Sequence, residues 1–142
     1  MANELIKRFE GLRLTPYLCL AGVPTIGYGS TYYEDGTPVT LHDPAITADR
    51  ANALLEYTVN KIYAPAVAQL CPNADTKGRI EALIDFTYNL GAGQLRGSTL
   101  RKCIARGEWQ RVPDELRKWN KGGGKVLKGL TLRREAESIL IF

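Results

Sequence analysis

The order of hydrophobic patterns predicts an α+β fold, with a small β-hairpin lobe joined by a long helix to a helical lobe. Three observations carry that expectation. Leu5, Phe9 and Leu12 recur at helical spacing before Pro16. The stretch from Tyr17 to Tyr28 then becomes β-like around Ala21 and Gly22. After Thr47 every apolar run returns to helical spacing and strand signals cease. A length of 142 residues suits one domain spanning 1–142. Its parts divide at about 12–46 for the β-rich lobe, 47–70 for the connecting helix and 71–142 for the helical lobe, near which the N-terminal helix packs.

The elements follow in order. Leu5, Ile6, Phe9 and Leu12 form the apolar arc of a short amphipathic helix. Pro16 ends helical continuation, and 17–20 and 23–28 flank a hairpin turn. Glu34 to Pro38, EDGTP, is a turn that predicts a third short strand near 39–41. Thr47 reads as the N-cap of a helix over about 48–70, with a kink expected at Pro65. Ile80, Leu83, Ile84, Thr87 and Leu90 make a central helix that Gly91 terminates. Ser98 caps a helix ending near Gly107, and another covers about 108–119 with Pro113 breaking or restarting it. Lys121-Gly122-Gly123-Gly124-Lys125 reads as a flexible basic loop, after which Thr131 caps a last helix to about Ile141.

Composition bounds the function. A formal charge of +4 favours an anionic partner, and nothing resembles a basic nucleic-acid reading helix. No run approaches the roughly 18 apolar residues that span a bilayer, so no stable membrane insertion is expected. The opening MANELIKRF carries charge and no apolar core, so it does not read as an export signal, and a cytosolic product is expected. Three cysteines without a close pair and one histidine argue against structural zinc. Cys71 and Cys103 are expected to pack as small apolar side chains.

Chemistry concentrates between Phe9 and Ser30. Glu10 is followed after eight residues by Cys19 and after five more by Thr25. A carboxyl, a second polar group and a hydroxyl meeting at a helix-to-hairpin junction suit acid-catalysed cleavage of a glycosidic bond by water. Glu10 falls on the margin of the apolar arc, where partial burial favours a protonated carboxyl. Position alone favours a plainer reading, a surface glutamate paired with Lys7 or Arg13. Register decides the hairpin's part. A two-residue turn at Ala21-Gly22 puts Cys19 and Thr25 on opposite faces, whereas a three-residue loop, 21–23, pairs them directly. The chemistry requires the longer loop. Gly27 and Gly29, alternating in a strand, leave one face bare for strand twisting or for the approach of a backbone or ligand.

Several segments in the same order resemble a known family. FEGLRL, AGVPTIGYGST, ALIDFTYNLGAGQLRGSTL, WNKGGGKVLKGL and RREAE are similar to those of phage-type lysozymes, endolysins of glycoside hydrolase family 24. The resemblance implies a lysozyme-like fold and hydrolysis of the β-1,4 bond between N-acetylmuramic acid and N-acetylglucosamine in peptidoglycan. It makes Glu10 the catalytic acid, with Thr25 and Cys19 holding a water that attacks the opposite face. Inversion follows, with the flanking groups about 6.5–9.5 Å apart. No metal or organic cofactor is implied. Cys19 stands where many relatives carry aspartate, and it is expected to position water more than to supply charge. Ser30 stands where many have histidine. Arg133 or Arg134 resembles the family's arginine beside the acid, and Arg134 is the favoured one. Trp119, Asn120 and Gly123 are candidate sugar contacts, with Tyr88 and Asn89 lining the cleft from below. The resemblance also implies a monomer held in the host cytoplasm until a separate holin-type pore releases it to the wall. Rival readings are a lytic transglycosylase on the same bond, a non-catalytic wall-binding module, and a peptidoglycan amidase or peptidase using Cys19 with His42.

Overall fold

The structure, a computed structural model, describes residues 3–142. Met1 and Ala2, the start of the segment read as lacking an export signal, lie outside the described residues. Helix α1 (Glu4–Glu10) buries Leu5 and Ile6 and stops at Gly11, which takes φ +73° and donates its N–H to the Lys7 carbonyl at 3.1 Å.

Strands β1 (Arg13–Leu18) and β2 (Pro24–Gly27) pair antiparallel, with Tyr17 opposite Thr25 and Leu18 opposite Pro24. The Cys19 N–H donates to the Val23 carbonyl at 3.1 Å, so Leu20-Ala21-Gly22 is the connection. It has three residues as the chemistry requires, but begins one position earlier than expected. The reason is steric. The last position of such a loop wants φ > 0, and Gly22 takes it at +77°, where the alternative register would force Val23 there. Cys19 and Thr25 therefore share a face diagonally and are not directly paired.

The expected third strand is not formed. Tyr32 and Pro38 make one isolated bridge around a turn at Gly36, and Pro38 has no N–H with which to extend a ladder. Val39 is nonetheless buried with Ile26 and Leu54 in a small cluster. Glu34 binds Arg50 through two 2.7 Å hydrogen bonds, tying this lobe to the long helix.

The long helix begins as α2 (Ala48–Thr58), where the Thr47 hydroxyl accepts from the Arg50 N–H at 3.0 Å. At Val59–Tyr63 it widens into a π turn, with the Ala64 N–H donating to the Val59 carbonyl, and continues as α3 (Ala64–Leu70). Pro65, where a kink was expected, lies just after this widened turn. Its missing N–H falls in the first turn of α3, and the widened turn makes room for the ring.

Helix α4 (Lys77–Leu90) is the centre of the larger lobe, with 82–87 buried consecutively. A helix buried on every side has neighbours all round, here α1, α3, α5 (Ala92–Arg96) and α8 (Lys128–Ile139). Ser98 caps α6 (Thr99–Ala105), accepting from the Arg101 N–H at 3.0 Å. A 3₁₀ turn at Trp109–Arg111 leads into α7 (Val112–Arg117), with Pro113 in its first turn. Cys71 and Cys103 are free thiols in the core, and burial pushes the Cys71 thiol up to about 11.

Two expectations near the C-terminal end are corrected. The stretch 121–125 is a tight hairpin of β3 (Lys121–Gly122) and β4 (Lys125–Val126), not a flexible loop. Gly123 and Gly124 both take positive φ, +59° and +80°, as a two-residue hairpin turn demands. Thr131 is not the cap of the last helix, which already starts at Lys128. Its hydroxyl bonds back to the Leu127 carbonyl at 3.2 Å.

Candidate active site

Glu10, Cys19 and Thr25 line one groove of about 520 Å³, together with Tyr17, Tyr88 and Asn89. Glu10 reaches it because it is the last residue of α1 and its carboxyl passes over Gly29. A Cβ at Gly29 would lie 2.7 Å from Glu10 Oε1, and Gly29 holds φ +84°. Of the two alternate glycines, Gly29 thus clears a path for the acid, while a Cβ on Gly27 would meet Ala51 Cβ at 3.3 Å. Gly29→Ala is expected to displace Glu10 and cut activity about 10²-fold while circular dichroism stays native.

The arginine beside the acid is Arg133, not Arg134. Arg133 Nη1 donates to Glu10 Oε2 at 2.8 Å, while its Nε and Nη2 grip Asp85 at 2.9 and 2.8 Å. Burial alone would depress the Arg133 guanidinium, but Asp85 and then Glu10 outweigh it and hold it above its ordinary value. Successive helical residues point about 100° apart, so only one of the pair can face Glu10. Arg134 turns instead into the core, donating to Asn89 Oδ1 and Glu137 Oε2 at 2.9 Å each. Asp85 and Glu137 went unnoticed in the sequence. The available signal was an aspartate inside the apolar run ALIDF, since a buried carboxylate demands a cation.

On the hairpin side, the Thr25 hydroxyl donates to the Val23 carbonyl at 2.8 Å, which leaves its oxygen free to accept. The Cys19 thiol is held below its ordinary value, chiefly by the backbone amides of Val23 and Ala21, with slight burial opposing them. Tyr88, pushed up by burial and by the charge of Glu10, stays neutral and donates to the Tyr28 carbonyl at 2.7 Å.

Trp119, Asn120 and Gly123 do not line the groove. Trp119 packs edge-on against Phe86 with centroids 5.5 Å apart, Asn120 donates to Thr131, and Gly123 occupies the hairpin turn. A second pocket of about 320 Å³ instead continues from Gly29, Thr31 and Tyr88. Tyr32, Tyr57, Lys61 and Tyr63 line it, and none was a sequence candidate. Tyr57 and Lys61, four apart on the long helix, were the available signal, and Lys61 Nζ lies 5.7 Å from the Tyr57 ring centroid. His42 is exposed and lines neither pocket, so it offers Cys19 no base there. Among the described residues, no group of three or more His, Cys, Asp or Glu could hold a metal ion.

This arrangement can be set against known proteins. The chain is 40% identical to an endolysin of Bacillus phage B103, over 96% of this chain and 51% of that protein. It is 38% identical to a SAR-endolysin of bacteriophage PS119, over 90% of this chain and 73% of that one. The chain spans about half the length of the Bacillus phage endolysins it matches. An endolysin from Escherichia coli O157:H7 phage FAHEc1 superposes with a TM-score of 0.88 at 34% identity, covering 99% of this chain and 89% of that one. A mutant of P22 lysozyme superposes at 0.85 with 28% identity, covering 99% and 94%. These neighbours share the lysozyme-like α+β fold described above. The phage lysozyme family model matches residues 7–137, which takes in Glu10, Cys19, Thr25 and Arg133, and the chain belongs to that family.

Proposed function

We propose that this chain is a peptidoglycan muramidase, hydrolysing the β-1,4 bond between N-acetylmuramic acid and N-acetylglucosamine during phage-induced lysis. The observation that carries this reading is the shared groove: an acid from α1 meets a thiol and a hydroxyl from the hairpin. Glu10 protonates the leaving oxygen as the bond breaks. Thr25, whose own proton is committed to Val23, accepts a hydrogen bond from the attacking water. The water adds to the face opposite the leaving group, so the anomeric configuration inverts. Tyr88 and Asn89 border the sugar. Because Arg134 takes the Asn89 oxygen, the amide N–H groups of Asn89 remain for an acetamido carbonyl.

Cys19 also acquires a charge role. The sequence favoured water positioning, but the amides around the thiol favour its ionised form, which would stabilise an oxocarbenium-like transition state. The ionised thiol is the active form under this reading, so activity rises with pH as Cys19 deprotonates. Cys19→Asp is expected to move that limb down into the carboxylate range and to make the enzyme resistant to peroxide, which inactivates the wild type. Paired pH profiles and peroxide titrations of the two proteins measure both effects.

The positive charge suits an anionic wall, and the family's endolysins support a lytic setting. A monomer that waits in the host cytoplasm for a separate holin-type pore is part of the same proposal. Mass spectrometry of digested sacculi is the test. Reducing muramic ends are expected; 1,6-anhydro ends would replace this reading with a transglycosylase, and binding without cleavage would replace it with a wall-binding module.

A further inference from the structure

We propose that Asp85 and Glu137, neither of which lines the groove, act as positioning residues that set through the two arginines when Glu10 can hold its proton. This rests on the reading of Glu10 as the acid. The cluster holds two guanidiniums and three carboxyls. Arg133 joins Asp85 to Glu10, and Arg134 is fully buried against an equally buried Glu137, with Nε 2.8 Å from Oε1. The two halves meet where the buried Glu137 carboxyl faces that of Asp85, and two carboxyls side by side in the core favour a proton on one of them. Burial, then the Asp85 carboxyl, raises Glu137 well above the ordinary carboxylate range.

Charge counting gives the consequence. Two cations and three carboxyls are neutral with one proton, and a buried set strongly disfavours a net charge. With the proton on Glu137, Glu10 is an anion paired to Arg133 and cannot act as the acid. With the proton on Glu10, Asp85 and Glu137 balance the two arginines. A sugar that strips water from Glu10, the most exposed member of the set, disfavours its anion and moves the population towards the competent state.

The neighbouring elements add few charges. Glu81 lies one turn before Asp85 on α4, and Tyr17, Tyr63 and Tyr88 face Glu10 with their phenols raised and neutral. On α1, Lys7 sits over Tyr28 and Arg8 over Phe9. On α7, Glu115 pairs with Lys118 and Arg117 with Asp114 and Glu135.

The test uses signs that a merely structural role would not produce. Glu137→Gln leaves both arginines to Asp85 and Glu10, so Glu10 is held ionised. The alkaline limb of kcat against pH should fall by about one unit or more with KM unchanged. Asp85→Asn should move it the same way. Arg134→Gln combined with Glu137→Gln leaves Arg133 and Asp85 balanced alone, and the limb should return to the wild-type position or above. Carbon-13 NMR of the Glu10 carboxyl, assigned by its loss in Glu10→Gln, should follow the same order without reference to activity. In the wild type, the Glu137 carboxyl should remain protonated where surface glutamates have ionised. If the variants leave the limb and the Glu10 titration in place, or wild-type Glu137 titrates with the surface glutamates, the proposal is overturned. A wild type that never cleaves peptidoglycan would instead remove the muramidase reading, and the carboxyl titrations would still decide this one.

Discussion

Glu10→Gln is expected to lower the rate of peptidoglycan cleavage by about 10²–10⁴-fold, the usual contribution of a positioned general acid. Glutamine keeps the shape and an oxygen that can accept from Arg133 Nη1, so the 2.8 Å contact has a replacement. What it lacks is a transferable proton. Sedimentation with purified walls should therefore be unchanged while turbidity loss of permeabilised cells disappears. Activity within about tenfold of wild type would place the proton donor elsewhere. Glu137 offers no substitute, because it is enclosed with Arg134 and does not line the groove.

Arg133→Met is expected to destabilise the fold by about 3–5 kcal/mol, because it strands Asp85 as an uncompensated buried charge. Methionine retains most of the arginine stem, so lost packing is a minor part of the effect. Asp85 is 1% exposed and receives two hydrogen bonds from Arg133. Chemical denaturation should show the loss as a lower midpoint with little change in slope. Combining Arg133→Met with Asp85→Leu should recover most of it, since an apolar pair can replace a buried ion pair at little cost. The double variant should stay impaired in catalysis, with Glu10 no longer held. Stability and activity would then separate, which identifies Arg133 as more than a structural tie.

Much of the fold was legible because local rules and the final packing agree. Thr47 and Ser98 cap helices where their spacing says they should, and Gly91 ends the central helix. Glu10 lies on the margin of the apolar arc and is a quarter exposed beside the groove, but position alone favoured a surface glutamate, and only the family resemblance singled it out. What escaped depended on geometry that periodicity does not carry. Adjacent arginines in RREAE have the same pattern, and only the docking of α8 against α1 and α4 chooses Arg133. The loop register turned on one backbone angle at Gly22, and Gly123-Gly124 read as flexible where their freedom of φ builds a tight turn. Trp119 followed the general rule that a large aromatic amid helices is core.

The bond between Arg133 and Glu10 joins residues 123 positions apart. During synthesis Glu10 leaves the ribosome early and its cation follows 123 positions later. A nascent chain, or one truncated by a premature stop before α8, carries an acid without the partner that holds it. The position of the Glu10 carboxyl is thus fixed only once the chain has been made through α8.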